Sequence, residues 1–118
     1  DLYEKLLQNK NSHLLNSVGY FDILELMKNC NFIITDSGGL QEEATSPIIR
    51  KKVLVIRKTT DRPEAVESKL AQIIGLNSKN ISNSIKKTIE NPKLDSKITP
   101  YGKGDASKKI IKVLKSKF

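Results

Sequence analysis

The stretch Phe32-Ile33-Ile34-Thr35-Asp36-Ser37-Gly38-Gly39-Leu40-Gln41-Glu42-Glu43-Ala44 decides the fold. Three apolar residues run as a strand, two glycines carry the turn, and a helix follows. A helix start leaves backbone N–H groups without internal partners and carries roughly half a positive charge, so it receives anions. Gly38 and Gly39 remove the Cβ atoms that would hold a diphosphate away from those amides. A plain left-handed turn joining strand to helix is the alternative reading of the same glycines.

A second block repeats this grammar. Val53-Leu54-Val55-Ile56 is an apolar strand, Arg57-Lys58-Thr59-Thr60-Asp61 a polar loop, and Pro63 opens a helix, where its missing N–H is not needed. In an open parallel sheet the ligand lies beyond the carboxyl ends of the strands. Residues 37–43 and 57–64 are therefore expected to line one crevice.

The rest of the chain alternates in the same way. Apolar positions predict a helix over 2–8, a short strand at Leu14 and Leu15, and a helix over 22–29 with Ile23, Leu24, Leu26 and Met27 inward. Next come a strand over 32–35, a helix over 39–45, a strand over 53–56, a helix over 63–68 and a strand over 71–74 closed by Gly75. Isoleucines at 81, 85 and 89 mark a helix stopped at Asn91-Pro92, and a terminal helix spans 105–114 after a loose connection over 91–104. This order predicts the α/β class, as a partial Rossmann-like doubly wound parallel sheet.

Composition narrows the possibilities. A chain of 118 residues is one domain at most, able to bury roughly two thirds of its unfolded surface. No apolar run approaches the roughly 20 residues that span a bilayer, and Asp1-Leu2-Tyr3-Glu4-Lys5 lacks the regions of a secretory signal. A single cysteine, Cys30, forms no internal disulfide and reads as core filler, and a cytoplasmic location is expected. His13 lies outside every motif and reads as an exposed or internally satisfied side chain. The net charge of +8 is uneven: residues 1–78 hold 10 basic and 10 acidic residues, and residues 79–118 hold 11 lysines against 3 acids. That stripe is almost all lysine with few aromatics, so a solvated helix face is preferred to a nucleic-acid footprint.

Four ordered blocks carry a family resemblance. They are Tyr20-Phe21-Asp22-Ile23-Leu24-Glu25-Leu26-Met27, Thr35 through Ala44, Arg57-Lys58-Thr59-Thr60-Asp61-Arg62-Pro63-Glu64, and Tyr101-Gly102-Lys103-Gly104-Asp105-Ala106-Ser107. Together they resemble the C-terminal part of bacterial UDP-N-acetylglucosamine 2-epimerase. The resemblance implies the nucleotide-binding lobe of a two-domain GT-B arrangement, residues 1–118 being a truncated domain that lacks its N-terminal partner. It implies interconversion of UDP-N-acetylglucosamine and UDP-N-acetylmannosamine by loss and re-addition of UDP, for cell-surface polysaccharide precursors, with no external cofactor and no metal. The main acid/base groups are expected in the missing domain, so the fragment alone is expected to be inactive.

For the site, the resemblance implies that Ser37, Gly38 and Gly39 hold the diphosphate and Glu43 the ribose hydroxyls. Arg62 matches an arginine beside the cleft, where it pairs with phosphate, holds Glu64 or forms a structural salt bridge; Arg57 carries the same readings. Glu42 is read as serving the helix start. Several positions depart from the family. The usual Gly-Lys-Pro turn before the second strand is replaced by a longer 45–52 connection without its glycine, and Asp61 replaces a glutamate. An aromatic residue that packs on uracil is replaced by Ile23. An Ala-Gly-Thr segment becomes Ser68-Lys69-Leu70, removing a glycine expected near the substrate. These departures leave open a relative acting on a modified amino sugar, or a hydrolysing 2-epimerase of sialic-acid-type synthesis. A basic non-enzymatic module that binds nucleic acid or an acidic partner, and a remnant that homo-oligomerises through a bare sheet edge, are the alternatives of other classes.

Overall fold

A computed structural model describes residues 1–94 and 96–118. Its centre is a parallel three-stranded sheet in the order β1 (Phe32–Thr35), β2 (Lys52–Val55), β3 (Ala71–Ile73). β1 and β2 pair in register, Phe32 opposite Lys52 and Thr35 opposite Val55, while Val53 of β2 faces Ala71 of β3. Parallel neighbours need a crossover, and helices α3 (Gly38–Ala44) and α4 (Pro63–Glu67) supply the two crossovers here. The α/β class and the parallel sheet expected from the sequence are both present.

The middle strand anchors the core. Val53, Leu54 and Val55 are all fully buried, which requires cover on both faces of β2, since successive side chains point to opposite sides. Val53 and Val55 join Met27, Ala44, Ile49, Ala65 and Ala71 in one cluster, with Ile23, Leu24, Ile33, Leu40 and Val66 packed around it. Met27 and Ile23 belong to α2 (Tyr20–Asn29). Leu26 lies on the exposed side of that helix rather than inward. In α5 (Ser78–Glu90) the Asn77 side chain caps the start by accepting from Lys79 N–H and Asn80 N–H at 2.9 and 3.3 Å. Thr88 is its buried residue, whereas Ile89 is exposed.

The terminal helices α1 (Leu2–Gln8) and α6 (Ala106–Lys117) have no buried residue. Accordingly the Cα radius of gyration is 17.2 Å, against about 13.5 Å for a compact domain of this length. Among the described residues no helix is long and apolar enough to cross a membrane.

The strand expected at Leu14 and Leu15 is not formed. Both side chains are exposed, at 41% and 63%, and the segment pairs with no strand of the sheet. A run of two offers one side chain to each face, too little apolar surface to offset the entropy of ordering it.

The departures from the family's glycines have a clear structural meaning. Among the described residues, Arg50 and Lys69 are the non-glycine residues with positive φ, 50° and 61°. Arg50 lies in the longer 45–52 connection that lacks the Gly-Lys-Pro glycine, and its guanidinium donates to the carbonyls of Ser96 and Ile98. Lys69 closes the turn from α4 into β3, with its N–H donating to the carbonyl of Val66 at 2.9 Å. It therefore lies at the end of the sheet where strands begin, beside Lys52, and not near the substrate crevice as expected. The glycine is a backbone device there, since left-handed φ costs an L-residue about 1–2 kcal/mol. Lys69→Gly is expected to stabilise the chain by about 1 kcal/mol in urea unfolding. An unchanged or lower midpoint would show that the lysine carries a compensating contact.

Candidate functional site

β1 and β2 end side by side, and the loops leaving them meet. Thr35, at the end of β1, accepts the Ser37 N–H on its Oγ1 at 3.0 Å, fixing the turn. Ser37 is the N-cap of α3; its Oγ accepts from Leu40 N–H at 3.3 Å. The amides of Gly38 and Gly39 fall in the first turn, where no intrahelical carbonyl is available to them.

Neither glycine is required by the backbone. Gly38 and Gly39 do not have positive φ, which removes the left-handed-turn reading. A Cβ on Gly38 would make ordinary contacts, 3.5 Å from Asp61 Oδ1 and 3.6 Å from Arg62 Cζ; on Gly39 it would meet only Ser37 Oγ, at 3.9 Å. Conformation and internal packing both admit alanine at these positions. What glycine leaves out is a side chain beside the amides, at Gly38 one that would lie against Asp61 and Arg62.

The second loop lies across that opening. Thr60 donates its hydroxyl to Gln41 Oε1 at 2.8 Å and accepts the Arg62 N–H at 3.1 Å. Arg62 bonds the Glu42 carboxylate through Nε and Asp61 Oδ2 through Nη1 at 3.1 Å, while Arg57 Nη1 reaches Asp61 Oδ1 at 3.0 Å. Arg62 thus pairs with Glu42 and Asp61, and not with Glu64. Its hydrogen bond to Glu42, more than the surrounding charge, raises the guanidinium's proton affinity further. The Asp61 carboxyl is held below the usual range by its own backbone N–H and by Arg62 and Arg57. Tyr101, from the last resemblance block, donates its hydroxyl to the Arg62 carbonyl at 3.5 Å. Behind it a cavity of about 250 Å³ opens between the end of α3 and residues 101–104. A cavity of about 500 Å³, lined in part by Lys52, Lys69 and Lys93, lies at the opposite end of the sheet.

Glu43, half-buried on α3, faces the start of α2. The charge of its carboxylate is the main reason the Tyr20 phenol is raised above its ordinary pKa, with some burial adding. Tyr20 and Phe21 form an edge-to-face pair with centroids 5.7 Å apart, and Phe21 is 82% exposed. Ile23 packs on the core instead of facing the crevice. Gln41, Thr60 and the Tyr20–Phe21 pair were not singled out in the sequence. Gln41 is fully buried and its Nε2 has no partner among the described residues. An uncharged amide just ahead of Glu42 and Glu43 was the available signal. Among the described residues no group of three or more His, Cys, Asp or Glu converges as metal ligands would.

Two strand-to-helix loops, a capped helix start and an arginine set beside it come together in this α/β domain at the carboxyl ends of its strands, the end at which open parallel sheets receive their ligands. Comparison with known proteins makes the class specific. Residues 1–115 match the family model for UDP-N-acetylglucosamine 2-epimerase, and the chain belongs to that family. It is 42% identical over 113 residues to the UDP-N-acetylglucosamine 2-epimerase of Campylobacter jejuni, covering 92% of this chain and 29% of that one. The UDP-GlcNAc 2-epimerase of Methanocaldococcus jannaschii superposes with a TM-score of 0.84 at 35% identity, covering 98% of this chain and 31% of that one. The Neisseria meningitidis enzyme, crystallised with UDP-GlcNAc, has the same TM-score at 38% identity, over 98% of this chain and 32% of that one. The chain thus spans about 30% of the length of these relatives.

The Tyr20–Glu43 contact is directly testable. A folded-state phenol raised above its unfolded value holds its proton more firmly, so any stability it contributes is present below the usual tyrosine range and is lost as pH rises through it. In a spectrophotometric titration, Glu43→Gln is expected to move one tyrosine midpoint downward and leave the other two in place. No movement would separate Glu43 from Tyr20.

Proposed function

We propose that this chain is the UDP-binding portion of a UDP-N-acetylglucosamine 2-epimerase, acting with an N-terminal domain that lies outside the 118 residues. The observation that carries the reading is the pair of glycines at the start of α3, which neither φ nor internal packing requires, set against the Arg62 guanidinium at the mouth of the same loop. Related epimerases crystallised with UDP-GlcNAc and UDP support it.

In this reading the Ser37 hydroxyl and the amides of Gly38 and Gly39 hold the diphosphate, and Arg62 balances its charge. The Glu43 carboxylate accepts hydrogen bonds from the ribose hydroxyls, and Tyr20 orients it. The reaction breaks the bond between sugar C1 and the UDP oxygen as the C2 proton leaves, producing a glycal. UDP then adds back to C1 as a proton returns to the opposite face of C2. Residues of this chain serve the UDP half of those steps, because negative charge grows on the diphosphate as the bond breaks and donors placed there favour the transition state. No residue of this chain is assigned to the C2 proton transfer. Lysines of the basic last third add a general attraction for an anionic substrate.

The test is UDP titration followed by calorimetry and thermal unfolding, with ATP as control. UDP at a hundred times its Kd is expected to stabilise the fold by about 2.7 kcal/mol. Gly38→Ala is expected to leave unfolding within about 1 kcal/mol of wild type while lowering UDP affinity at least about tenfold by filling the approach to the amides. A flat melting temperature up to millimolar UDP, or equal stabilisation by ATP, would defeat the proposal.

A further inference from the structure

Arg62 is held at both ends by consecutive residues of α3. Its backbone N–H donates to Thr60 Oγ1, and the Thr60 hydroxyl is fixed by the side chain of Gln41, which burial leaves no room to move. Its head is fixed by the next residue, Glu42, on Nε, while Nη1 donates to the Asp61 carbonyl at 3.0 Å and forms an ion pair with the Asp61 carboxylate at 3.1 Å. A guanidinium has five N–H donors in a rigid plane, and these contacts engage Nε and Nη1. Nη2 has no partner among the described residues, and it lies 3.7 Å from the point where a Cβ on Gly38 would stand.

We infer that Glu42 is a positioning residue for Arg62, orienting the guanidinium so that Nη2 faces the diphosphate beside Gly38. The inference rests on the proposed UDP-binding reading and adds to it a role for a residue that would contact no ligand. An opposite effect is conceivable for any carboxylate beside an anion-binding arginine, because it cancels charge. Geometry decides against it: Glu42 and the ligand use different nitrogens, so the anion need not displace the carboxylate. The cluster Arg57, Asp61, Arg62 and Glu42 holds two positive and two negative groups. Its preference for a diphosphate therefore comes from directed donors rather than from net charge.

The experiment compares UDP with uridine, which lacks the diphosphate, in titrations of the 118-residue chain followed by NMR, for wild type, Glu42→Gln, Glu42→Ala, Arg62→Ala and the double alanine variant. Glu42→Ala is expected to weaken UDP about tenfold and leave uridine unchanged, a loss in the range of one charge-assisted hydrogen bond. Glu42→Gln, whose amide oxygen still accepts from Nε, is expected to lose about threefold. In the Arg62→Ala background, Glu42→Ala is expected to change nothing further. Without ligand, the Arg62 Nε–H signal is expected to be protected from exchange in wild type and lost in Glu42→Ala. Urea unfolding verifies that each variant is folded, and if Glu42→Ala is not, Glu42→Gln decides with the same sign. Wild type that binds UDP while the variants bind it equally or more tightly would overturn the inference and leave the UDP reading intact. Wild type that does not bind UDP would overturn both.

Discussion

The parallel, in-register pairing of β1 with β2 is the constraint on which the site depends. Because Phe32 faces Lys52 and Thr35 faces Val55, both strands end at the same level of the sheet, and the loops that follow leave from one edge. An antiparallel pair would send one loop to each end, leaving Ser37 and Arg62 a strand length apart. The burial of Val53, Leu54 and Val55 holds this arrangement. A slip of one residue would turn Leu54 to the face of Val53 and Val55 and break the pairing of apolar side chains with α2, α3 and α4.

The main elements were legible because each carries a local cause. Three apolar residues before two glycines and a proline at a first helical turn are short-range instructions, and they act as read. The failures were non-local. Leu14 and Leu15 carry the apolar pair of a strand but meet no partner edge, and pairing is a property of two segments. Glycine losses in the 45–52 connection and in Ser68-Lys69-Leu70 were visible in the sequence. Their consequence, two long side chains in left-handed backbone, depends on turn geometry that composition does not report. Within the site, the two loops were placed together correctly, whereas the Gln41–Thr60 bond and the Glu42–Arg62 pair join residues 19 and 20 positions apart. Any nearby carboxylate would have satisfied the sequence pattern for Arg62; the fold selects Glu42 and Asp61.

The uncovered surfaces obey the same logic. α1 and α6 are amphipathic, yet Leu2, Leu7, Ile110, Val113 and Leu114 are all exposed, and β1 leaves Ile34 open on the edge of the sheet. Contiguous apolar patches of this kind are uncommon on self-sufficient domains. They fit a chain that spans about 30% of the length of its relatives and whose core is sheet-centred, with helices at both ends not packed onto it.

On the proposed reading, the site receives a leaving diphosphate and must hold it firmly and still let it depart and return. A bare cluster of arginines would favour every anion in proportion to its charge and would hold UDP in its ground state as tightly as in the transition state, which lowers KM without raising kcat. The charge-balanced set around Gly38 avoids this. Arg57 and Arg62 are each matched by a carboxylate, so the long-range pull on anions is small, and attraction is concentrated in the few donors that face the open space. Such donors gain most as charge builds on the departing oxygen. If the proposed reading holds, their directions are set in advance by Ser37, Thr60 and Glu42, and little reorganisation is left for the moment of reaction.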